Sequence, residues 1–259
     1  MNGKFAITDI HNHLVPAVDD GAQSMDESIR HLRILFAEGV TQLSVSPHLF
    51  GWLTEEAGAL ADRLDRLEDA FAELEEVCSR RTDVPRLFFG QEILCPTPEI
   101  AKQVFQEKRA GYRGTDYALV EFGFDLPTDT VGVIRAVLDS GRRIIISHPE
   151  RYRRVRSNVH VDELRSWHEA GALLQVNAGS LLGDYGFAIE QLAWQLVTDG
   201  IAHVIATDHH ADSRVVSPRS AYQAIVERGG AETARVLLSE NTSRVLRNEK
   251  LLEVPKLTP

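Results

Sequence analysis

The feature that most constrains this chain is an alternation of two patterns. Short apolar runs recur at Phe5–Ile10, Gln42–Ser46, Arg86–Gly90, Tyr117–Val120, Arg142–Ser147, Ala172–Val176 and Ala202–Ala206. Segments of helical spacing separate them. Ile144–Ser147, Leu173–Val176 and His203–Ala206 lack polar alternation, as strands buried on both faces do. Such strands alternating with helices predict a parallel sheet built from βα crossovers.

The helical segments carry their own punctuation. Met25–Glu38 opens on a Ser24-x-x-Glu27 capping box and stops at Gly39. Leu60, Leu64, Leu67, Phe71, Leu74 and Val77 repeat at helical spacing. Asp129–Ser140 stops at Gly141 and Gln191–Asp199 at Gly200. Ser239–Leu252 reads as a final helix. Neither a Pro/Ser-rich linker nor a repeat interrupts the pattern, so residues 1–259 read as a single domain.

Composition narrows the classes. The net charge of −10 does not suit a nucleic-acid footprint, which is normally basic. No apolar run approaches the ~20 residues of a bilayer span, so no membrane insertion is expected. Two cysteines, Cys78 and Cys95, cannot build a disulfide framework, and the absence of a signal-peptide pattern adds to a cytoplasmic expectation. Neither cysteine has a base nearby in sequence, so both are expected to be inert.

The chemistry lies just beyond the strands. His11 and His13 follow the first, with Asp19-Asp20-Gly21 after them. His48 follows the second, Glu92 the third, Glu121 the fourth, His148 the fifth, and Asp208 and His210 the seventh; the sixth ends at Asn177. The carboxyl ends of parallel strands are where active sites form. One such residue alone is more often a cap or a surface group: Asp20 before Gly21 suits a turn, and Asp208 suits a helix cap. Six strand ends out of seven argue for a shared site. His11-x-His13 and Asp208-x-His210 put two donors on one face of an extended backbone. Nine donors of nitrogen and oxygen type, without thiolate, suit two or three ions such as Zn, Mn or Fe. His31, His160, His168 and His203 read as ordinary, and His209, between two candidates, should point the other way.

Arg151 and Arg214 would stand at the rim of the same mouth, where a planar guanidinium grips phosphate oxygens. Arg153, Arg154 and Arg156 show that the first loop is arginine-rich in any case. There is no P-loop, Cys-x5-Arg or G-x-S-x-G signature for covalent chemistry.

Taken in order, Asp9-Ile-His-Asn-His13, Val18-Asp-Asp-Gly21, Ser46-Pro-His48, Gly90-Gln-Glu92, Leu119-Val-Glu-Phe122, Ser147-His-Pro-Glu-Arg-Tyr152 and Ala206-Thr-Asp-His-His210 resemble the PHP (polymerase and histidinol phosphatase) superfamily. More closely, they resemble its capsule and exopolysaccharide branch of manganese-dependent protein-tyrosine phosphatases. The resemblance implies a distorted (β/α)7 barrel with its metal site at the strand C-termini. It implies one ion on His11, His13, Glu92 and Asp208, a second on Glu92, Glu121 and His148, and a third on Asp20, His48 and His210. Mn is implied, with Fe, Zn or Mg as alternatives. Arg151 and Arg214 match the arginines that grip phosphate. The implied substrate is a phosphotyrosine protein, such as a bacterial tyrosine autokinase, hydrolysed through a metal-bridged hydroxide; a strong acid is not obligatory, and a metal-polarised water, Asp208 or His48 is the candidate to assist. Pro149 and the Leu49-Phe50-Gly51-Trp52 loop depart from the pattern. Phe50, Trp52 and Tyr152 are expected to offer rings to the substrate phenol, the alternative for Phe50 and Trp52 being to cover the barrel rim.

Rivals are a histidinol-phosphate or other small-molecule phosphatase, an amidohydrolase, and a degenerate binding module. An amidohydrolase commonly needs a carboxylated lysine at a strand end, and none of Lys4, Lys102, Lys108, Lys250 and Lys256 is placed there. A degenerate module would have lost ligands, and none is missing.

Overall fold

The structure is a computed structural model and describes residues 6–154 and 157–257. Lys4, the start of the first run at Phe5, and Arg156 lie outside the described residues. Among the described residues there are eleven strands: β1 (Ile7–Asp9), β2 (Val40–Val45), β3 (His48–Phe50), β4 (Arg86–Phe89), β5 (Glu92–Leu94), β6 (Tyr117–Glu121), β7 (Arg143–Ser147), β8 (Arg153–Arg154), β9 (Ser157–Asn158), β10 (Leu173–Asn177) and β11 (Val204–Ala206). The described residues also form ten α-helices: α1 (Met25–Ala37), α2 (Ala59–Ser79), α3 (Pro98–Val104), α4 (Thr130–Asp139), α5 (Val161–Glu169), α6 (Ala178–Leu181), α7 (Phe187–Thr198), α8 (Pro218–Glu227), α9 (Ala231–Arg235) and α10 (Asn241–Leu246).

The main sheets are parallel, as the alternation predicts. One runs β1-β2-β4 and the other β11-β10-β7-β6-β5-β3, while β8 and β9 form a small antiparallel pair. The two expected strands that lead to His48 and Glu92 form as β2 and β4, but each is followed by a second short strand, so these residues open β3 and β5. Pro47 has no N–H to continue the ladder. Gly90 lies under Tyr112, whose ring is 2.4 Å from where a Cβ would stand. The chain resumes with His48 opposite Glu92 in the β3–β5 ladder. The sheets do not join in one closed ladder. Between β1 and β11 the seam is held by Asp208 N–H to His11 O (2.7 Å) and His13 N–H to His209 O (2.8 Å). Buried Asp9 adds to it by accepting from the Thr207 amide (2.9 Å) and hydroxyl (2.7 Å).

Alternate strand residues face two different cores. Ala118, Val120, Ile144 and Ile146 pack outward under the helices. Tyr117, Leu119 and Ile145 face inward, with Ile10, Val204 and Val245, into a small separate core. Followed one step further along β6, the inward set reaches Glu121; along β10 it runs Leu173, Gln175, Asn177. The inner face therefore changes from apolar to polar toward the strand C-termini, and the candidate site begins there.

The helices hold most of their expected limits. Ser24 caps α1, accepting from the Glu27 N–H at 3.2 Å, and Glu27 answers by accepting from the Gln23 N–H at 2.7 Å. In α2 the buried face ends on Cys78, while Val77 is 40% exposed, a phase error of one residue. Helix α7 starts at Phe187, a turn earlier than expected, because Gly186 at φ 92° ends the preceding turn. The expected final helix over Ser239–Leu252 is shorter. A π-helical turn spans Val236–Glu240, α10 stops at Leu246, and Asn248 has positive φ. There Asn241 receives the chain, accepting from the Leu252 N–H at 2.8 Å. Among the described residues no helix is long and apolar enough to cross a membrane.

Candidate metal centre

All nine expected ligand residues converge. His11, His13, Glu92, His148 and Asp208 are at most 2% exposed, and His210 and Glu121 are buried as well. Around His11 Nε2 stand Glu92 Oε2 at 3.3 Å, Asp208 Oδ1 at 3.4 Å and His13 Nε2 at 3.4 Å. His13 Nε2 is 3.4 Å from Glu92 Oε2 and 3.6 Å from Asp208 Oδ1. Four donors each ~2.1 Å from one ion would stand about 3.4 Å apart in a tetrahedron, so this spacing fits a shared ion.

The remaining donors adjoin this set. Glu92 Oε1 meets His148 Nε2 at 2.9 Å, and Glu92 Oε2 is 3.2 Å from His48 Nδ1. Asp20 Oδ1 is 3.3 Å from His48 Nε2 and 3.4 Å from His210 Nε2. Ligand atoms of His48, Glu92 and Glu121 cluster within reach of one ion, and so do those of His13, Asp20, His48 and His210. His13 thus stands between two clusters, which the spacing of residues did not show. The buried Nδ1 atoms of His48 and His148 have no hydrogen-bond partner. The orphaned His48 Nδ1, 3.2 Å from Glu92 Oε2, is a nitrogen donor beside a carboxylate oxygen, a pairing that suits a first-row cation.

Local backbone and neighbours aim these side chains. His148 (φ 33°) and Asp208 (φ 53°) adopt left-handed conformations just past β7 and β11. Such strain costs ~1–3 kcal/mol each and tends to collect at functional sites. Gly21 lets the Asp19–Asp20 loop lie on His13, since a Cβ there would stand 1.8 Å from His13 O. Asp19, which the sequence analysis passed over for Asp20, accepts from His13 Nδ1 at 2.8 Å and from the His48 N–H at 3.0 Å. Gln175 Oε1 is 2.8 Å from His11 Nδ1. The Nδ1 of His210 donates to the Asp208 carbonyl at 2.9 Å. Each of these rings therefore points Nε2 into the cluster, the arrangement in which an outer partner orients a metal ligand.

The charges follow from burial and crowding. Burial opposes protonation of His13, but Asp19 and Glu92 raise it to about 9. Against the same opposition, Asp20 and Glu92 raise His48 to about 11. Burial, with Glu92 close by, pushes Glu121 up to about 8. Burial takes His148 down to about 4 despite its hydrogen bond to Glu92. Burial would raise Asp208, yet His11, His148 and Arg214 hold it well below the carboxylate range. So many carboxylates around imidazoles call for positive charge at the centre.

Arg151 and Arg214 reach this centre, each donating to Asp208 Oδ2 at 2.5 Å. They line a pocket of about 480 Å³ with Asp20, His48, Phe50 and Phe124. Phe50 stacks on His48 at 5.7 Å, and Trp52, 44% exposed, stacks on Phe50 at 4.6 Å. Phe124, absent from the sequence reading, stacks on His148 at 5.7 Å and under the Arg151 guanidinium at 4.9 Å. Tyr152 corrects an expectation: it is fully buried, stacked against Phe122, and its hydroxyl accepts from the Phe122 N–H at 3.2 Å. It has no face toward a substrate. His209 points away from the cluster and pairs with His31 at 2.9 Å. Cys78 and Cys95 are buried, and burial pushes both thiols up.

Known proteins are similar to the chain over most of its length. It is 29% identical over 251 residues to the tyrosine-protein phosphatase YwqE of Bacillus subtilis, covering 95% of this chain and 94% of that one. It is 25% identical over 249 residues to the tyrosine-protein phosphatase CpsB of Streptococcus pneumoniae, covering 93% and 98%. A solved structure from work on those two metal-dependent tyrosine phosphatases superposes with a TM-score of 0.77 at 26% identity, over 98% of this chain and all of that one. A histidinol phosphate phosphatase of Lactococcus lactis, 16% identical with a TM-score of 0.51 over 88% of this chain and 93% of that one, shares the fold alone. The family model described as capsular polysaccharide synthesis, CpsB/CapC, matches residues 7–247, and the chain belongs to that family.

Proposed function

We propose that this chain is a metal-dependent phosphomonoesterase that removes phosphate from tyrosine in proteins. The observation that carries the reading is the convergence of nine ligand-type side chains and two arginines on one pocket. The similarity to tyrosine-protein phosphatases supports the same class. The strand segments β1, β2–β3, β4–β5, β6, β7, β10 and β11 are read as a distorted (β/α)7 barrel over a single domain. Manganese is the preferred ion, with Fe, Zn or Mg as alternatives. The substrate is assigned to a phosphotyrosine tail, such as that of a bacterial tyrosine autokinase in capsule synthesis, and the location to the cytoplasm.

His11, His13, Glu92 and Asp208 would hold one ion; Glu92, Glu121 and His148 a second; and Asp20, His48 and His210 a third, with His13 in reach of it. Bound ions supply a nucleophile at neutral pH and charge for the phosphoryl oxygens. Arg151 and Arg214 grip those oxygens and neutralise charge as it develops. Phe50 and Phe124 flank the entering phenol ring, a contact worth ~0.5–1.5 kcal/mol per aromatic pair. A phenolate, with a pKa of about 10, leaves without a strong acid. Of the two side chains named as candidate acids, Asp208 is held ionised by its neighbours, and His48 gives up its proton when it holds an ion.

The test pairs metal analysis with turnover of phosphotyrosine peptides, phosphoserine peptides and histidinol phosphate. Metal-dependent turnover strongest on phosphotyrosine, and unaffected by thiol alkylation, is expected. Preferential turnover of histidinol phosphate would overturn the substrate assignment.

A further inference from the structure

We infer that Gln175 and Asn177 are positioning residues, forming an amide relay that decides which ring nitrogen of His11 is free to ligate. The inference rests on the metal-site reading above. Both residues are fully buried, on the inner face of β10 where Leu173 precedes them. The relay runs in three steps: His11 Nδ1 to Gln175 Oε1 at 2.8 Å, Gln175 Nε2 to Asn177 Oδ1 at 2.7 Å, and Asn177 Nδ2 to Asp208 Oδ2 at 2.9 Å.

Its direction is fixed at one end. Asp208 Oδ2 already accepts from the Arg151 and Arg214 guanidinium groups, so Asn177 presents its NH2 to the same oxygen. Asn177 then has its oxygen toward Gln175, which must donate. Gln175 is left with its oxygen toward His11, whose Nδ1 must carry the proton. The Nε2 lone pair is thereby aimed at the point shared by Glu92, His13 and Asp208. Asp208 Oδ2 accepts from Asn177, Arg151 and Arg214, which leaves Oδ1 for the imidazole side. Glu150 anchors the relay from behind, accepting from the Asn177 N–H at 2.9 Å and the Ser180 hydroxyl at 2.6 Å. One chain of amides thus sets two ligands of the same ion at once. Two buried amides that merely satisfied each other would not need a carboxylate at one end and an imidazole at the other.

The experiment reads His11 directly in the metal-free full chain. Its ring nitrogens are followed by 15N NMR at alkaline pH, the signal being identified by its loss in His11→Gln. Wild type is expected to carry the proton on Nδ1. Gln175→Leu should move it toward Nε2 and weaken Mn²⁺ or Zn²⁺ binding roughly 10- to 100-fold, as loss of an outer partner does. Gln175→Glu keeps the oxygen facing His11 and should restore the Nδ1 proton. A wild-type ring protonated on Nε2 overturns the relay, whether or not the variants fold. An unchanged tautomer and metal affinity in Gln175→Leu overturns it as well. A wild-type chain with the Nδ1 proton but no affinity for either ion would instead overturn the metal-site reading.

Discussion

The candidate site has a dry half and a wet half. His11, His13, Glu92, His148 and Asp208 are shut from solvent, and His11, His13 and Asp208 lean on buried partners in Gln175, Asp19 and Asn177. Asp20, with its side chain 65% exposed, and His48, at 19%, stand at the mouth beside Phe50 and the two arginines. In the dry half each unpaired charge is expensive, so its geometry is over-determined by neighbours. In the wet half water screens the charges, and the residues are free to meet a substrate.

The largest way to break that contrast is Glu92→Ala. Glu92 touches His11, His13, His48 and His148, so its loss should release more than one ion and lower kcat on the order of 10³-fold. Elemental analysis showing wild-type stoichiometry would rule out a bridging role.

Next come Arg151→Ala and Arg214→Ala. Each should keep its metal content and lose a charge-assisted contact worth ~1.5–3 kcal/mol, roughly ten- to a hundred-fold in kcat/KM. Unchanged kinetics on every phosphoester tried would remove that residue from phosphate binding. Asp20→Ala sharpens the comparison, since a wet ligand should cost at most one ion and about ten-fold in activity. Loss of all metal would show that the two halves are one unit.

The His13–Asp19 pair predicts a pH window for the metal-free protein. His13 is raised from 6.5 to about 9, so its stabilisation is complete below pH 6.5 and lost as pH rises through 9. Asp19 is lowered from 3.8 to about 2, by His13 and backbone donors against burial, so its share is present above pH 3.8 and lost on acidification. Asp19→Asn should therefore lower Tm most between about pH 4 and 6.5, and less above pH 9. A Tm difference independent of pH would exclude the ion pair as its cause. The smallest effect belongs to Tyr152→Phe, which orphans the Phe122 N–H at ~1–3 kcal/mol of stability. A raised KM there would return Tyr152 to the substrate-facing surface.

The relation between sequence and site is uneven in the same way. His11-x-His13, His48, Glu92, Glu121, His148 and Asp208-x-His210 were legible because ligand chemistry permits few residue types and strand ends put them in predictable places. Gln175 carried a signal too, as the one polar residue within the apolar run Leu173–Val176. Nothing in the run said that its partner would be His11, 164 residues away. Asp19 and Asp20 are chemically equal in sequence, and only the path of the loop over His13 gave one to the ring and the other to the mouth. Tyr152, adjacent to Arg151, was expected at the mouth, yet the chain turns it into the core. The sequence by itself determined the alternation, the parallel pairing and the kinds of donor, because those depend on residue type and local spacing. The breaks at Pro47 and Gly90, the split of charge between dry and wet halves and the orientation of each ring were decided only by the tertiary structure, because they depend on contacts between segments far apart in the chain.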